Sequence, residues 1–166
     1  MFTTLHWIRD ARPHRLAMMA RPRSGDWLAD EIRHWKDAGL TVVASLLEAH
    51  EVRELELADE PSLCQQVGIE FLSFPIRDRG VPGSMRDAGT FIDSLQAKLI
   101  TGGAMGVHCR AGIGRSGLIA ACLLAKLGMP FADIFPALSR ARGVAVPDTP
   151  EQMQWVRRFA EAPQPR

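Results

Sequence analysis

The sequence contains no tyrosine, only three cysteines, and only three lysines against seventeen arginines. Three cysteines cannot build the disulfide framework of a small secreted domain, and none stands in a Cys-x-x-Cys pair of the kind that binds structural zinc. The net charge of +1 lacks the strong basic excess that is typical of nucleic-acid-binding proteins and of polybasic proteins that bind membrane surfaces, so these classes are not the default interpretation. Hydrophobic residues make up 46% and charged residues 23%, which is typical of a globular protein.

Long apolar runs are absent as well. The first residues, MFTTLHWIRDARPHR, lack the uninterrupted apolar stretch of a signal peptide, and no run approaches the roughly 20 residues of a membrane-spanning helix. Together with the few cysteines, these absences predict a cytoplasmic protein that neither inserts into a membrane nor binds nucleic acid. The oligomeric state stays open.

The order of apolar patterns alternates strands with helices. Strands are predicted at His6–Ile8, Leu16–Ala20, Thr41–Leu47, Ile69–Ile76 and Ala104–His108. Helices are predicted at Asp26–Ala38 and Glu51–Leu57, before Gly102, at Ser116–Leu127, at Ala132–Ala141 with a bend or interruption at Pro136, and from Pro150 onward. This alternation predicts an α/β fold, a single domain with a central, mainly parallel sheet flanked by helices on both faces. The domain is expected to cover residues 1–162, followed by a flexible tail at 163–166.

The stretch 107–117, VHCRAGIGRSG, carries the clearest chemical signal. A predicted strand runs into Cys109, and six residues later Arg115 stands where a helix begins. The two glycines between them let the backbone bend, so that successive N–H groups converge on an anion site at the helix N-terminus. Arg115 can add two parallel hydrogen bonds to a phosphate-like oxyanion. The same positive field favours the thiolate of Cys109, which is the nucleophilic form.

A proton donor for the leaving group is predicted in the polar loop 77–84, RDRGVPGS, which follows another strand. Asp78 is the candidate, since a positioned acid typically contributes about 10²–10⁴-fold to such reactions. Gly80 and Gly83 would allow this loop to close over a ligand. Arg77 and Arg79 could contact phosphate, pair with Asp78 or remain solvated.

The combination His108-Cys109-x5-Arg115-Ser116 resembles the signature of the cysteine-dependent protein tyrosine phosphatase superfamily. The small size is similar to that of its dual-specificity and prokaryotic-type members. Segment 71–82 resembles the loop that bears the family's general acid, and segment 148–152 resembles the late segment whose glutamine positions the hydrolytic water.

The resemblance implies a fold of the protein tyrosine phosphatase type and a two-step hydrolysis that needs no metal and no cofactor. Cys109 would attack phosphorus and form a phosphocysteine intermediate, while Asp78 protonates the leaving oxygen and later activates water. Ser116 resembles the hydroxyl residue that stabilises the departing thiolate, and His108 resembles the histidine that fixes the Cys109 backbone. Phosphate would be held by the Arg115 side chain and by the main-chain N–H groups of Arg110, Ala111, Gly112, Ile113, Gly114 and Arg115.

Other polar and sulfur-containing residues have plainer interpretations. Gln152 either positions water, as the resemblance implies, or merely begins the last helix. The run 140–142 is expected to cap a helix C-terminus, with a role in substrate binding as the alternative. Cys122 is expected in the core, and Cys64 either packs in the protein or forms a protective disulfide with oxidised Cys109.

The substrate is less defined than the chemistry. Ile113 takes the central loop place where lipid- and inositol-phosphate-directed relatives often carry lysine, which favours a phosphorylated protein or peptide, especially phosphotyrosine, with dual specificity left open. The lack of tyrosine removes the recognition loop of the large tyrosine-specific enzymes. Inositol phosphates or phosphoinositides are the second class of substrate. Rhodanese-like or arsenate chemistry and a non-catalytic phospho-binding module also stay open.

Overall fold

A computed structural model describes residues 1–163 of the chain, and within them five strands and seven α-helices are found. The strands are β1 (His6–Trp7), β2 (Arg15–Met19), β3 (Val42–Ser45), β4 (Glu70–Ser73) and β5 (Ala104–His108). The helices are α1 (Leu28–Asp37), α2 (Ala49–Glu54), α3 (Glu60–Gln66), α4 (Met85–Ile100), α5 (Gly114–Lys126), α6 (Phe131–Arg142) and α7 (Pro150–Glu161).

The strands form one sheet in the order β1-β2-β5-β3-β4. Only β1 runs antiparallel to its neighbour, and the other pairings are parallel. Strand β5 therefore lies in the middle, with His108 in register with Met19 on one side and Ser45 on the other. Because the carboxyl ends of parallel strands share one edge, the segments that follow β2, β3, β4 and β5 meet there. The predicted α/β fold class is confirmed.

Helices cover both faces of the sheet. Successive side chains of a strand point to opposite faces, so each strand contributes to two cores. In β3, Val42 and Ala44 join the larger core under α4 to α7, whereas Val43 joins the smaller core under α1 to α3. Helix α5 belongs to the larger core and is buried at every position of 114–124. A helix that is apolar nearly all round must be enclosed on all sides, so α5 is the inner element of its layer.

Some boundaries differ from the predictions. Helix α6 runs continuously through Pro136, because the buried side chains on either side of the proline hold the helix against the core. Helix α3 was not predicted at all. It is a single short segment with Pro61 in its first turn, where the missing N–H is tolerated.

Within residues 1–163, no helix combines the length and the apolar character that crossing a membrane requires. The predicted flexible tail falls almost wholly outside the described residues, which include only Pro163 of it.

Candidate active site

The loop 109–115, called the signature loop below, connects the central strand β5 to the N-terminus of α5. Cys109 is only 3% exposed and lies at the carboxyl edge of the sheet. The loop backbone is tied to its neighbours, since Arg21 N–H donates to the Arg110 carbonyl and Leu46 N–H donates to the His108 carbonyl. This places the sulfur-bearing residue at the start of a tight turn that ends in a helix N-terminus, as an anion site requires.

At two glycine positions of the signature loop, the neighbouring atoms leave no room for a side chain. Gly112 has a φ of +74°, and a Cβ there would overlap the Met19 carbonyl carbon and lie 2.6 Å from the Ala20 nitrogen. A Cβ on Gly114 would overlap the Asp148 carboxylate. The loop can therefore take this path only because both positions lack a side chain.

Arg115 is buried, and its guanidinium is held in a fork by Glu51. The Arg115 Nη1 and Nη2 atoms donate to the two Glu51 carboxylate oxygens at 2.7 and 2.9 Å, and Nη1 also donates to the Ile76 carbonyl at 2.9 Å. Burial alone would lower the pKa of Arg115, but the hydrogen bonds with Glu51 and the negative charges of Cys109, Glu51 and Asp78 raise it. The arginine is thus fixed, charged and electrostatically coupled to Cys109.

Glu51 is a site residue that the sequence interpretation missed. It is 1% exposed and is the third residue of α2, where its side chain also accepts from the Glu48 backbone N–H. Burial would raise the pKa of Glu51, but its hydrogen bonds with Arg115 and Glu48 outweigh burial and hold the pKa at about 2. The capping-box spacing of Glu48 and Glu51 was the only signal for it in the sequence, and that signal concerns helix initiation.

The predicted acid is close to the predicted anion site. Asp78 lies on the loop after β4, and its Oδ1 accepts from Arg115 Nη2 at 3.1 Å. Its side chain is 55% exposed, so the carboxyl group borders both the arginine and the solvent. The structure therefore brings Asp78, from the loop after β4, to the signature loop that contains Cys109 and Arg115.

His108 and Ser116 flank the signature loop on its buried side. His108 Nδ1 lies 3.3 Å from the Cys109 carbonyl oxygen, and Nε2 lies 2.6 Å from Oε1 of the buried Glu60. The Ser116 hydroxyl is fully buried and has no hydrogen-bond partner in the part of the chain that the structure describes. A buried hydroxyl without a partner is rare, and one beside an anion site can donate to a transient negative charge.

Both ends of the Gln152 side-chain amide have hydrogen-bond partners within the protein. Its Oε1 accepts from the backbone N–H groups of Asp148 and Thr149, which caps α7, and its Nε2 donates to the Gly80 carbonyl at 3.1 Å. In this structure Gln152 is buried and links α7 to the loop that carries Asp78.

Two further arginines, Arg142 and Arg110, have different contacts at the signature loop. Arg142 lies in the last turn of α6, as expected of a residue that complements a helix C-terminus, and its Nε and Nη2 atoms also donate to the Gly112 and Ala111 carbonyls at 3.2 and 3.1 Å. These bonds hold carbonyls of the signature loop. Arg110 is partly exposed and its Nε lies 3.4 Å from Glu51 Oε1, at the rim. The remaining predicted loop residue, Ile113, immediately precedes α5, and its side chain packs against the core.

The other cysteines are buried and unpaired. Burial raises the pKa of the Cys122 thiol well above its ordinary value. Among residues 1–163, no cluster of three His, Cys, Asp or Glu side chains has an arrangement that could hold a metal ion.

This fold and this loop define a cysteine-dependent phosphatase architecture, and a family comparison agrees. Residues 17–129 match the family described as "Tc-R-P: Polymorphic toxin system, DSP-PTPase phosphatase". The chain belongs to this DSP-PTPase family, which confirms the resemblance drawn from the sequence. The matched range contains Glu51, Asp78 and the whole signature loop, and it ends before Arg142 and Gln152.

Two curated relatives are similar over part of the chain. Protein tyrosine phosphatase domain-containing protein 1 of Danio rerio is 32% identical over 103 residues, which are 61% of this chain and 14% of that protein. Putative tyrosine phosphatase 067L of Invertebrate iridescent virus 3 is 31% identical over 100 residues, 58% of this chain and 38% of that protein. The similarity therefore spans well under half the length of either relative.

Solved structures share the fold over nearly the whole chain. Kinase-associated phosphatase, crystallised with its catalytic-site cysteine replaced by serine, superposes with a TM-score of 0.86 at 22% identity, covering 96% of this chain and 94% of that chain. PTPMT1 in complex with PI(5)P gives a TM-score of 0.77 at 20% identity, covering 95% and 94%.

Proposed function

We propose that this protein hydrolyses phosphomonoesters through a phosphocysteine intermediate and without a metal. The observation that carries the proposal is the convergence of Cys109, the fixed Arg115 and Asp78 at the carboxyl edge of the sheet. The positive groups that a phosphoryl transfer needs would be supplied by the signature-loop amides at the N-terminus of α5 and by Arg115, which Glu51 holds in position.

In the first step the Cys109 sulfur forms a bond to phosphorus, and the bond from phosphorus to the leaving oxygen breaks. Asp78 gives its proton to that oxygen, because an alkoxide or phenoxide leaves poorly. In the second step a water attacks phosphorus, Asp78 takes a proton from the water, and the thiolate leaves. The Ser116 hydroxyl, which has no partner within the described residues, donates to that thiolate.

Residues around the three reacting groups hold them in position. Glu51 aligns Arg115, and Arg142 fixes two carbonyls of the signature loop. We propose that Gln152 holds the loop that carries Asp78 through its hydrogen bond to the Gly80 carbonyl. To position the hydrolytic water, the Gln152 side chain would first have to break this hydrogen bond. Preorganisation of this kind lets charge develop in the transition state without rearranging the site.

For the substrate we propose phosphorylated proteins or peptides, with phosphotyrosine preferred, because Ile113 adds no positive charge inside the loop. The second candidate is an inositol phosphate or phosphoinositide, favoured by the similarity to PTPMT1 bound to PI(5)P. A cytoplasmic location is proposed because all three cysteines are unpaired, as in a reducing compartment.

The test is release of p-nitrophenol from p-nitrophenyl phosphate in buffer containing a chelator. The wild type should turn over, Cys109→Ser should be inactive, and the matched variant Cys122→Ala, which alters a core thiol on α5, should keep its activity. Full activity of Cys109→Ser would refute the mechanism, and binding of phosphopeptide without turnover by the wild type would point to a binding module. A panel of phosphotyrosine peptides, phosphoserine peptides and inositol phosphates then ranks the substrates.

A further inference from the structure

A buried acidic side chain beneath the signature loop takes no part in the chemistry proposed above. Glu60 is the first residue of α3 and is 1% exposed. Its Oε1 atom lies 2.6 Å from Nε2 of His108, which is itself fully buried at the end of β5. A buried carboxylate is tolerated only when it is paired and hydrogen-bonded, so the Glu60–His108 contact needs an explanation in terms of charge.

Both nitrogens of the His108 ring face acceptor oxygens. Nδ1 lies 3.3 Å from the Cys109 carbonyl oxygen, which can only accept, and Nε2 faces the Glu60 carboxylate. A proton on each nitrogen makes both contacts attractive at once. A proton on Nε2 makes its contact with Glu60 a charge-assisted hydrogen bond, which is the short and strong kind, and the distance here is 2.6 Å.

We propose that Glu60 is a positioning residue for the nucleophile, acting through His108. It keeps the imidazole ring doubly protonated, so that a charged N–H group holds the Cys109 carbonyl and a positive charge lies on the residue just before the nucleophile. The inference rests on the proposed function, which makes Cys109 the nucleophile. A nearby cation favours a thiolate over a thiol, so Glu60 raises the reactive fraction of Cys109 without touching it.

Few other charged or titratable groups face this ring. Cys64 lies on α3 one turn after Glu60, and burial together with the Glu60 charge raises the pKa of the Cys64 thiol to about 12, so that it stays neutral. On the loop side, Cys109 is coupled to Arg115, whose charge is present whether or not Glu60 is. The Trp35 ring packs 6.2 Å from His108 and carries no charge. Within the described residues, Glu60 is therefore the carboxylate that can set the protonation of His108.

The experiment compares the wild type with Glu60→Gln, which keeps the shape and removes the charge, and with Glu70→Gln as a matched control on the exposed end of β4. The rate of Cys109 alkylation by iodoacetate is followed by mass spectrometry from pH 5 to pH 9, which needs no hydrolytic activity. In Glu60→Gln the pH of half-maximal alkylation should move upward by about one unit, which is about tenfold less thiolate on the acidic side. The value of kcat/KM for p-nitrophenyl phosphate at pH 6 should fall by the same factor, and Glu70→Gln should match the wild type.

A double-mutant cycle with His108→Gln separates this role from simple packing. If Glu60 acts through His108, adding Glu60→Gln to His108→Gln should leave the alkylation profile unchanged. An unshifted profile in Glu60→Gln, or a full additional shift in the double variant, would overturn the proposal.

If a variant does not fold, nitrogen-15 spectra of His108 in the wild type test the proposal without any substitution. Two protonated ring nitrogens at pH 7 support the proposal, and one bare nitrogen contradicts it. A wild type that alkylates with the expected profile and yet hydrolyses no phosphoester would refute the proposed function and leave the assignment of Glu60 standing.

Discussion

The fork between Glu51 and Arg115 offers the sharpest quantitative prediction. Glu51→Gln keeps the size of the side chain and one acceptor oxygen, but it removes the negative charge that faces the buried guanidinium. Removing one partner of a buried ion pair costs about 3–5 kcal/mol, and the retained acceptor places this variant at about 3 kcal/mol. For a chain of this length that loss lowers Tm by about 6–12 °C.

The assay is urea unfolding at pH 7, with Glu54→Gln as the control one turn further along α2. Glu54 is exposed and lies 3.8 Å from Arg110, so its variant should remain within about 0.5 kcal/mol of the wild type. The value of kcat/KM should fall in Glu51→Gln, because Arg115 loses the group that aims it. Equal unfolding free energies for the two variants would refute the reasoning.

The same pair predicts a dependence on pH with a defined sign. The pKa of Glu51 is depressed to about 2 in the folded protein, against 4.5 as its ordinary value. Its stabilising contribution is therefore fully present above about pH 4.5 and is lost as the pH falls toward 2. The difference in unfolding free energy between the wild type and Glu51→Gln should shrink across that window, and a difference that stays constant down to pH 2.5 would contradict the assignment.

Three further predictions concern the signature loop and the acid. Asp78→Asn should lower kcat for phenyl phosphate by about 10²–10⁴-fold and affect 2,4-dinitrophenyl phosphate much less, because that leaving group needs no proton; equal losses for both esters would remove Asp78 from this role. Gly112→Ala should cost about 2–4 kcal/mol in urea unfolding, since φ is +74° and the Cβ would overlap Met19, whereas Gly89→Ala on α4 should be neutral or stabilising. Arg142→Met should destabilise the protein by about 1–3 kcal/mol and lower kcat, through the loss of two hydrogen bonds to loop carbonyls, and an unchanged kcat would show that those bonds do not position the loop.

The sheet and the signature loop could be predicted because their signals are local. Strand β5 has the bounds expected from its apolar run, and the glycines of the following loop stand where the backbone must bend. The parallel direction of most neighbouring strands also follows from the alternation of strands and helices, because parallel strands need crossover connections that are usually helical. Cys109 and Arg115 were predicted in this way, since Cys109 directly follows β5 and Arg115 lies in the first turn of α5, whereas the prediction of Asp78 depended mainly on the family resemblance.

The supporting carboxylates could not be predicted, because their roles depend on contacts across the fold. The segment 51–60 contains five acidic residues that look alike in sequence, and only Glu51 and Glu60 are buried. Glu51 reaches an arginine 64 positions away and Glu60 a histidine 48 positions away. Helix α3, which carries Glu60, was itself missed, so nothing local indicated that this acid would lie under the sheet edge. The hydrogen bonds from Arg142 to the signature loop were not predicted for a related reason. A basic residue in the last turn of a helix is already explained by its interaction with the helix dipole, so nothing in the sequence pointed to a distant partner.

Helix α5 has a consequence for how this chain can vary. Its positions 114–124 form eleven consecutive buried residues, whereas an amphipathic surface helix such as α1 alternates buried and open positions. No face of α5 is open to solvent, so a change that adds volume or charge displaces a neighbour in the close-packed interior, and only a small conservative replacement such as Cys122→Ala is expected to be tolerated. Saturation mutagenesis scored by protein abundance should therefore show α5 as an unbroken intolerant block, and natural drift in this chain must be concentrated in its outer helices and loops.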